Sequence, residues 1–338
     1  MTVTVTVTVT VTDGESATDS VSEHQHEHDG FDTDLVTDSD TVPRPYPFAS
    51  RFLDLDGLRY HYLDEGRGDP IVMLHGNPSW SYYFRHLVAA LAPAYRVIVP
   101  DHIGCGLSDK PDDSRYEYTL ERRWRDVERL LEHLGVEREI TLVLHDWGGM
   151  IGMAFAAHHP ERIARLVFLN TAAFHLPAAK RLPLSLRLAR GPLGALLVRG
   201  LNAFSRGAAR YCCTRRPMAP EVRAQYLAPY DSWRNRIAVH RFVQDIPLRP
   251  GDRGYDLVSF VEARLDRFRE TPILICWGAR DFVFDGSFLA EWQRRFPHAE
   301  VHRFADCGHY VLEDAHEEIV PLVRTFLARH PLTDRASP

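Results

Sequence analysis

The sequence is short of several things that would have decided its class early. Nowhere do about 18 uncharged apolar residues run together, so no segment reads as a membrane-spanning helix. Cysteine is scarce: five among 338 residues, at 105, 212, 213, 276 and 307. An odd, scattered set makes no disulfide framework and fits a reduced, cytoplasmic setting. There is no P-loop, no Gly-x-Gly-x-x-Gly and no Cys/His set at ligand spacing, so no cofactor and no metal is expected. The chain opens without a basic segment leading into a continuous apolar one, which excludes a secretory signal. No basic stripe of the kind that tracks nucleic acid is present, and nucleic acid is excluded as a partner.

What is present is unevenly spread. Residues 1–42 hold ten Asp/Glu and no Lys/Arg, leaving 36 acids against 40 bases, a net +4, in the rest. Residues 2–12 alternate Thr and Val, and 13–42 are rich in Asp, Ser, Thr and His. The segment reads as a disordered acidic tail, and His24, His26 and His28 within it as solvated rather than metal-binding. With 45% hydrophobic residues overall, the remainder can bury a sizeable core.

From about Pro43 short apolar runs alternate with helical patterns. The runs fall at 52–55, 59–63, 71–74, 96–99, 140–144, 163–169, 272–277 and 300–304. Helix-like stretches lie at 81–92, 119–134, 149–158, 288–296 and 316–329. Such alternation predicts βαβ units and a mainly parallel sheet. Asp56-Gly57 between the first two runs predicts a hairpin, so the sheet begins antiparallel. Between 169 and 272 the strand rhythm stops, and this Arg-, Leu- and Ala-rich insert reads as a helical cap.

Three chemistry-bearing residues then fall at strand ends. Ile140-Thr-Leu-Val-Leu-His-Asp146-Trp147-Gly-Gly runs from a buried strand straight into a helix, a tight elbow that presents Asp146 above the sheet. Strand 272–277 leads into Trp277-Gly-Ala-Arg-Asp281, and the next strand into Phe304-Ala-Asp-Cys-Gly-His309. Nucleophile, acid, then histidine is the chain order of an α/β-hydrolase triad. The loop His75-Gly76-Asn77-Pro78 is placed to offer backbone N–H groups, with the Asn77 amide and the Trp147 indole as further donors toward a developing anion. His75 and His145 read as structural.

On these residues, HGNPSW (75–80), PDHIGCGLSDKPDD (100–113), LHDWGG (144–149) and GHYVLEDAH (308–316), the chain resembles the haloalkane dehalogenase-like α/β-hydrolases. LNTAAFHLP (169–177), LVRGLNAFSRGAA (197–209), YLAPYDSW (226–233), RFVQDIPLRPGD (241–252) and ICWGARDFVFD (275–285) resemble more narrowly the β-lactone decarboxylases of bacterial long-chain olefin biosynthesis. The resemblance implies an α/β-hydrolase fold, a mostly parallel eight-stranded sheet flanked by helices with an inserted helical cap. The expected division is a tail at 1–42, core at 43–173, cap at 174–268, core again at 269–330, and a short tail at 331–338.

It further implies Asp146 as nucleophile, His309 as base or proton handler, Asp281 as its acid, and Asn77 with Trp147 as the anion-stabilising pair. Some members take the acid from the end of the preceding strand, but here that strand ends Leu169-Asn170-Thr171, without a carboxylate. Implied functions are decarboxylation of a long-chain dialkyl β-lactone to a cis-alkene, or hydrolytic dehalogenation of a haloalkane. Epoxide hydrolysis ranks behind them, with Tyr211, Tyr226, Tyr230 and Tyr255 as candidate acids from the cap. An inactive scaffold is the reading from a different class. Between Phe174 and Pro220 lie nine Lys/Arg and no Asp/Glu. Either the cap is a lid with arginines outward and leucines lining the pocket, or it docks on an acidic partner, such as another enzyme of olefin synthesis, or on an anionic membrane surface.

Overall fold

The computed structural model describes residues 46–178 and 180–332; the acidic tail expected at 1–42 lies outside them. Eight strands form one sheet: β1 (Arg51–Asp54), β2 (Arg59–Glu65), β3 (Pro70–Leu74), β4 (Arg96–Pro100), β5 (Ile140–Asp146), β6 (Ile163–Thr171), β7 (Ile273–Gly278) and β8 (Glu300–Phe304). Their order is β1-β2-β4-β3-β5-β6-β7-β8. Asp56 and Gly57 turn at φ 58° and 78° between β1 and β2, which pair antiparallel. The β2–β4 pair is also antiparallel, and every pairing from β4 onward is parallel.

The inner strands are apolar throughout because helices cover both faces. Leu142 and Leu144 of β5 and Leu166 and Phe168 of β6 pack toward α2 (Leu120–His133), α3 (Trp147–His158) and α9 (Gly286–Arg295). Val143, Val167 and Leu169 point the other way, toward α1 (Arg85–Leu91) and α10 (Val311–Arg329). Helix α2 begins at Thr119, whose hydroxyl accepts the Arg122 N–H at 3.1 Å as an N-cap. Helix α3 is apolar on almost every side and is buried along nearly its whole length.

After β3 the chain adds β4 on one side and later β5 on the other. This reversal of winding is where the loops diverge and leave a crevice at the strands' C-terminal ends. The described residues between β6 and β7 hold no strand. They form α4 (Leu184–Arg190), a π-helical turn (Leu196–Gly200), α5 (Ala203–Tyr211), α6 (Pro220–Leu227), α7 (Ile237–Gln244) and α8 (Tyr255–Glu262). Leu186, Ala189, Val198, Tyr230, Val239 and Val243 give this segment a small core of its own. Its last helix, α8, lies against α3, with Phe260 stacked on His158 at 4.6 Å. Among the described residues, no helix is long and apolar enough to cross a membrane.

Candidate active site

The turn out of β5 fixes the first group. Asp146 has φ 52° and ψ −125°, a conformation that costs a residue with a Cβ on the order of 1–3 kcal/mol and persists only where neighbours enforce it. Here they do. Thr171 Oγ1 donates to the Asp146 carbonyl at 2.5 Å. Gly148 and Gly149 let α3 start hard against the sheet: a Cβ at 148 would lie 1.9 Å from the Leu74 carbonyl oxygen, and one at 149 only 1.8 Å from Thr171 Oγ1. The carboxylate is thereby presented beyond the strand ends, in the crevice.

His309, on the loop after β8, meets it there. Nε2 stands 3.3 Å from Asp146 Oδ2, and Nδ1 donates to Asp281 Oδ2 at 2.8 Å. Asp281 follows β7 and accepts from four donors: the Val283 and Phe284 backbone N–H groups at 2.7 and 3.0 Å on Oδ1, and His309 Nδ1 with Asn170 Nδ2, the latter at 3.0 Å, on Oδ2. The His309 carbonyl accepts from His145 Nε2 at 3.0 Å, and the His145 ring stacks on Tyr83 at 4.2 Å.

Burial by itself would favour neutral forms throughout this cluster. For His309 it is outweighed by the Asp281 charge and by hydrogen bonds to Asp146 and Asp281, which lift the imidazole to about 10. For Asp146 burial is outweighed by the hydrogen bond and charge of His309, and the carboxylate lies below its ordinary range. At neutral pH the Asp146 carboxylate faces an imidazolium, which Asp281 holds from its other side.

The loop after β3 closes the other side of Asp146. The Asn77 backbone N–H donates to Asp146 Oδ1 at 2.8 Å, and Gly76 passes so close that a Cβ would lie 2.0 Å from that oxygen. Sequence reasoning aimed this backbone donor at the substrate; in the resting protein it holds the Asp146 carboxylate itself. The Asn77 side chain reaches the cap, Nδ2 donating to the Val239 carbonyl at 3.1 Å. One amide N–H is left without a partner among the described residues. The Trp147 indole N–H likewise has none there, and both residues line the cavity in front of Asp146. The loop is braced by buried Asp101, which accepts the Ser81 N–H at 2.7 Å and the Leu107 N–H at 2.9 Å.

That cavity is walled by Phe174, Leu186, Phe204, Val243 and Phe288 among others. Two more of its polar lining residues are tied elsewhere: Lys180 to Asp285 at 2.7 Å and His175 to Ser259 at 2.8 Å. None of the four cap tyrosines weighed as epoxide acids lines it. Tyr226 donates to Glu313, Tyr230 to the Ser79 carbonyl, Tyr255 stacks on His175, and Tyr211 is exposed. Of the cap leucines, Leu182 and Leu186 face the cavity, whereas Leu184, Leu188, Leu193, Leu196 and Leu201 face out. The simple division of arginines outward and leucines inward does not describe the lid.

Sequence reasoning missed Asn170. It lies at the β5–β6 register shift, unpaired between Leu169 and Thr171, with φ 38°. Such a bulge re-aims a side chain. This one turns to β7, where it exchanges hydrogen bonds with the Gly278 backbone at 2.7 and 3.0 Å and donates to Asp281. An asparagine, the residue that best tolerates that backbone region, ending an otherwise apolar strand was the available signal. No group of His, Cys, Asp and Glu suited to a metal is found among the described residues.

A family model described as alpha/beta hydrolase fold matches residues 69–215. A cis-3-alkyl-4-alkyloxetan-2-one decarboxylase of Shewanella oneidensis is 58% identical over 282 residues, 83% of this chain and 89% of that one. One of the same name from Xanthomonas campestris is 51% identical, covering 85% and 98%. A haloalkane dehalogenase of Mycolicibacterium paratuberculosis is 35% identical, covering 81% and 91%. Among solved structures, the haloalkane dehalogenase DatA of Agrobacterium tumefaciens C58 superposes with a TM-score of 0.74 at 28% identity, covering 83% and 97%. The chain is an enzyme of the α/β-hydrolase family, in the haloalkane dehalogenase-like group to which the cis-3-alkyl-4-alkyloxetan-2-one decarboxylases belong.

Proposed function

We propose that the protein decarboxylates cis-3,4-dialkyl β-lactones to cis-alkenes, with Asp146 as nucleophile. The observation that carries this is its kinship with decarboxylases of that substrate, over a stretch too long to leave out the cap. An ionised carboxylate needs no base to attack. Asp146 Oδ forms a bond to the lactone's β-carbon with inversion, the ring C–O bond breaks, and a substrate carboxylate is released into the cavity beside Trp147 and Asn77. The bond from the α-carbon to that carboxylate then breaks, its electrons form the double bond, and the Asp146–carbon bond opens to return the free carboxylate. Inversion followed by anti departure preserves the cis relation of the alkyl groups, and no water is consumed. In this scheme His309 holds Asp146 ionised and in place, and Asp281 orients His309.

The haloalkane reading uses the same first bond and differs in needing water afterwards. Incubation with a cis-dialkyl β-lactone and, separately, a long 1-haloalkane, followed by gas chromatography and mass spectrometry, separates them. Alkene from the lactone with little halide release is expected, and Asp146→Ala should abolish it. Alcohol and halide from the haloalkane with the lactone untouched would overturn the proposal. The five free thiols fit a reducing cytoplasm as the compartment. Delivery of so apolar a substrate falls to the cap, whose basic face suits either an acidic face on another enzyme of olefin synthesis or an anionic lipid surface.

A further inference from the structure

We infer that the outer face of the cap docks on an anionic lipid bilayer and that the substrate enters from it. The inference rests on surface chemistry alone and holds whichever alkyl substrate the cavity accepts. Within residues 184–201 five leucines, Leu184, Leu188, Leu193, Leu196 and Leu201, are each between 53% and 66% exposed. Trp233, half exposed, joins them: the Arg199 guanidinium lies 4.7 Å above its ring, and Leu196 and Trp233 both adjoin Gly200. Exposed apolar side chains gathered in this way mark a surface that meets something.

Residues 184–201 carry arginine and no acid, and the carboxylates near them include exposed Asp231, two residues before Trp233, and Asp252, paired with Arg190. Arg181, Arg187, Arg206 and Arg210 have no acidic partner among the described residues, whereas Arg190, Arg215 and Arg216 are paired with Asp252, Asp306 and Glu317. Against a protein surface, cations interleaved with leucines would have to be desolvated along with them unless each met its own carboxylate. At a lipid interface the two needs separate by depth: leucines reach the acyl chains, guanidinium groups stay hydrated beside phosphates, and tryptophan sits between. The arrangement therefore favours the bilayer over a protein partner.

The position of α4 gives the contact a purpose. Its inner side contributes Leu186 to the cavity that holds Asp146, while Leu184 and Leu188 of the same helix face outward. A groove rimmed by Arg181, Arg187 and Arg190 shares Leu176 and Leu182 with that cavity. One helix separates the docking face from the nucleophile, a short path for a dialkyl molecule dissolved in lipid.

The test is co-sedimentation of the full chain with phosphatidylcholine vesicles, with and without phosphatidylglycerol, and it reads binding rather than turnover. Binding is expected only with phosphatidylglycerol, and salt should weaken it. Arg187→Gln and Arg206→Gln should each weaken it about 5-fold, since each removes one cation from the anionic surface. Leu188→Ser with Leu193→Ser should abolish it with an unchanged thermal midpoint. The other five tryptophans are buried, so vesicles should shift the emission to the blue, and Trp233→Phe should remove that shift. Absence of binding at low salt would overturn the inference. So would binding that these substitutions leave intact in folded variants, or binding of a protein from the same cell that depends on the same residues while vesicles are ignored.

Discussion

Asp281→Asn is the sharpest probe of the cluster, because the substitution keeps the side chain's shape while removing its charge and reversing the sense of two hydrogen bonds. The carboxylate accepts from Val283 N, Phe284 N, His309 Nδ1 and Asn170 Nδ2. An amide cannot accept on both sides. With its oxygen toward the backbone pair, its NH2 faces two further donors; turned over, it faces the backbone. Two buried donors lose their acceptor either way, at about 1–3 kcal/mol each, so unfolding in urea should show a loss of about 2–6 kcal/mol. His309 also loses its anchor, and a misplacement of about 1 Å at a catalytic group costs on the order of 100-fold in kcat/KM.

The pH dependence adds a separate readout. His309 is raised to about 10 by the Asp281 charge and by its hydrogen bonds to both carboxylates, against the effect of burial. A raised group stabilises the fold fully below its unfolded value of about 6.5, and that stabilisation is lost as the pH climbs through the folded value. Wild-type stability should therefore decline between those limits, and the Asp281→Asn variant should decline less. Adding Asn170→Asp restores an acceptor at the same junction and should return part of the activity. A folded Asp281→Asn variant with wild-type turnover and an unchanged pH slope would refute the assigned role.

Two further substitutions test the surroundings. Gly76→Ala puts a methyl group 2.0 Å from Asp146 Oδ1 and 2.3 Å from its Cβ; the nucleophile must move, and kcat/KM should fall by about 100-fold, with an overpacking cost in urea of about 1–3 kcal/mol. Arg123→Met removes the partner of Asp245, which lies 3.2 Å away and is buried. Leaving that carboxylate unpaired should cost about 3–5 kcal/mol. Burial, against the pull of Arg123, already raises Asp245 to about 6, so the loss should be larger at pH 8 than at pH 5, where protonation neutralises it.

How much of this was legible follows from where each feature is encoded. All eight strands coincide with apolar runs because the inner ones are buried on both faces, and burial of that kind is written in consecutive residues. Asp146, Asp281 and His309 were readable because the fold delivers strand ends to one edge. Boundaries slipped where local geometry overrides pattern: α3 starts at Trp147, two residues before its helical pattern, because the elbow leaves no connecting loop. Contacts between distant segments were not readable. The Asn77 amide meets Val239 across 162 residues of chain, and nothing in the periodicity of either segment announces the other. Asn170 looked like the mere absence of an acid, and only the bulge turns it toward Asp281. The cap's leucine spacing is helical on both of its faces, so spacing alone does not tell the lining of a cavity from an outer surface.

The cavity's chemistry bears on why one machinery serves two reactions. In the proposed scheme both begin with a carbon–oxygen bond to Asp146 and part at the next step, where a dehalogenase needs a water molecule at the new ester. The walls here are apolar, and Lys180 and His175 turn their polar ends to Asp285 and Ser259. Beside Asp146 the free donors of the lining, among the described residues, are the Asn77 and Trp147 N–H groups. A substrate carboxylate set free in the same space finds those two donors and otherwise apolar walls, so it is less well solvated than in water, which raises its free energy. Loss of carbon dioxide removes that buried charge from the substrate and returns it to Asp146, where the Asn77 N–H at 2.8 Å and the His309 imidazolium at 3.3 Å already wait for it. In the proposed scheme the site stabilises charge on Asp146 better than on the ring-opened substrate. In that scheme the difference favours alkene over hydrolysis.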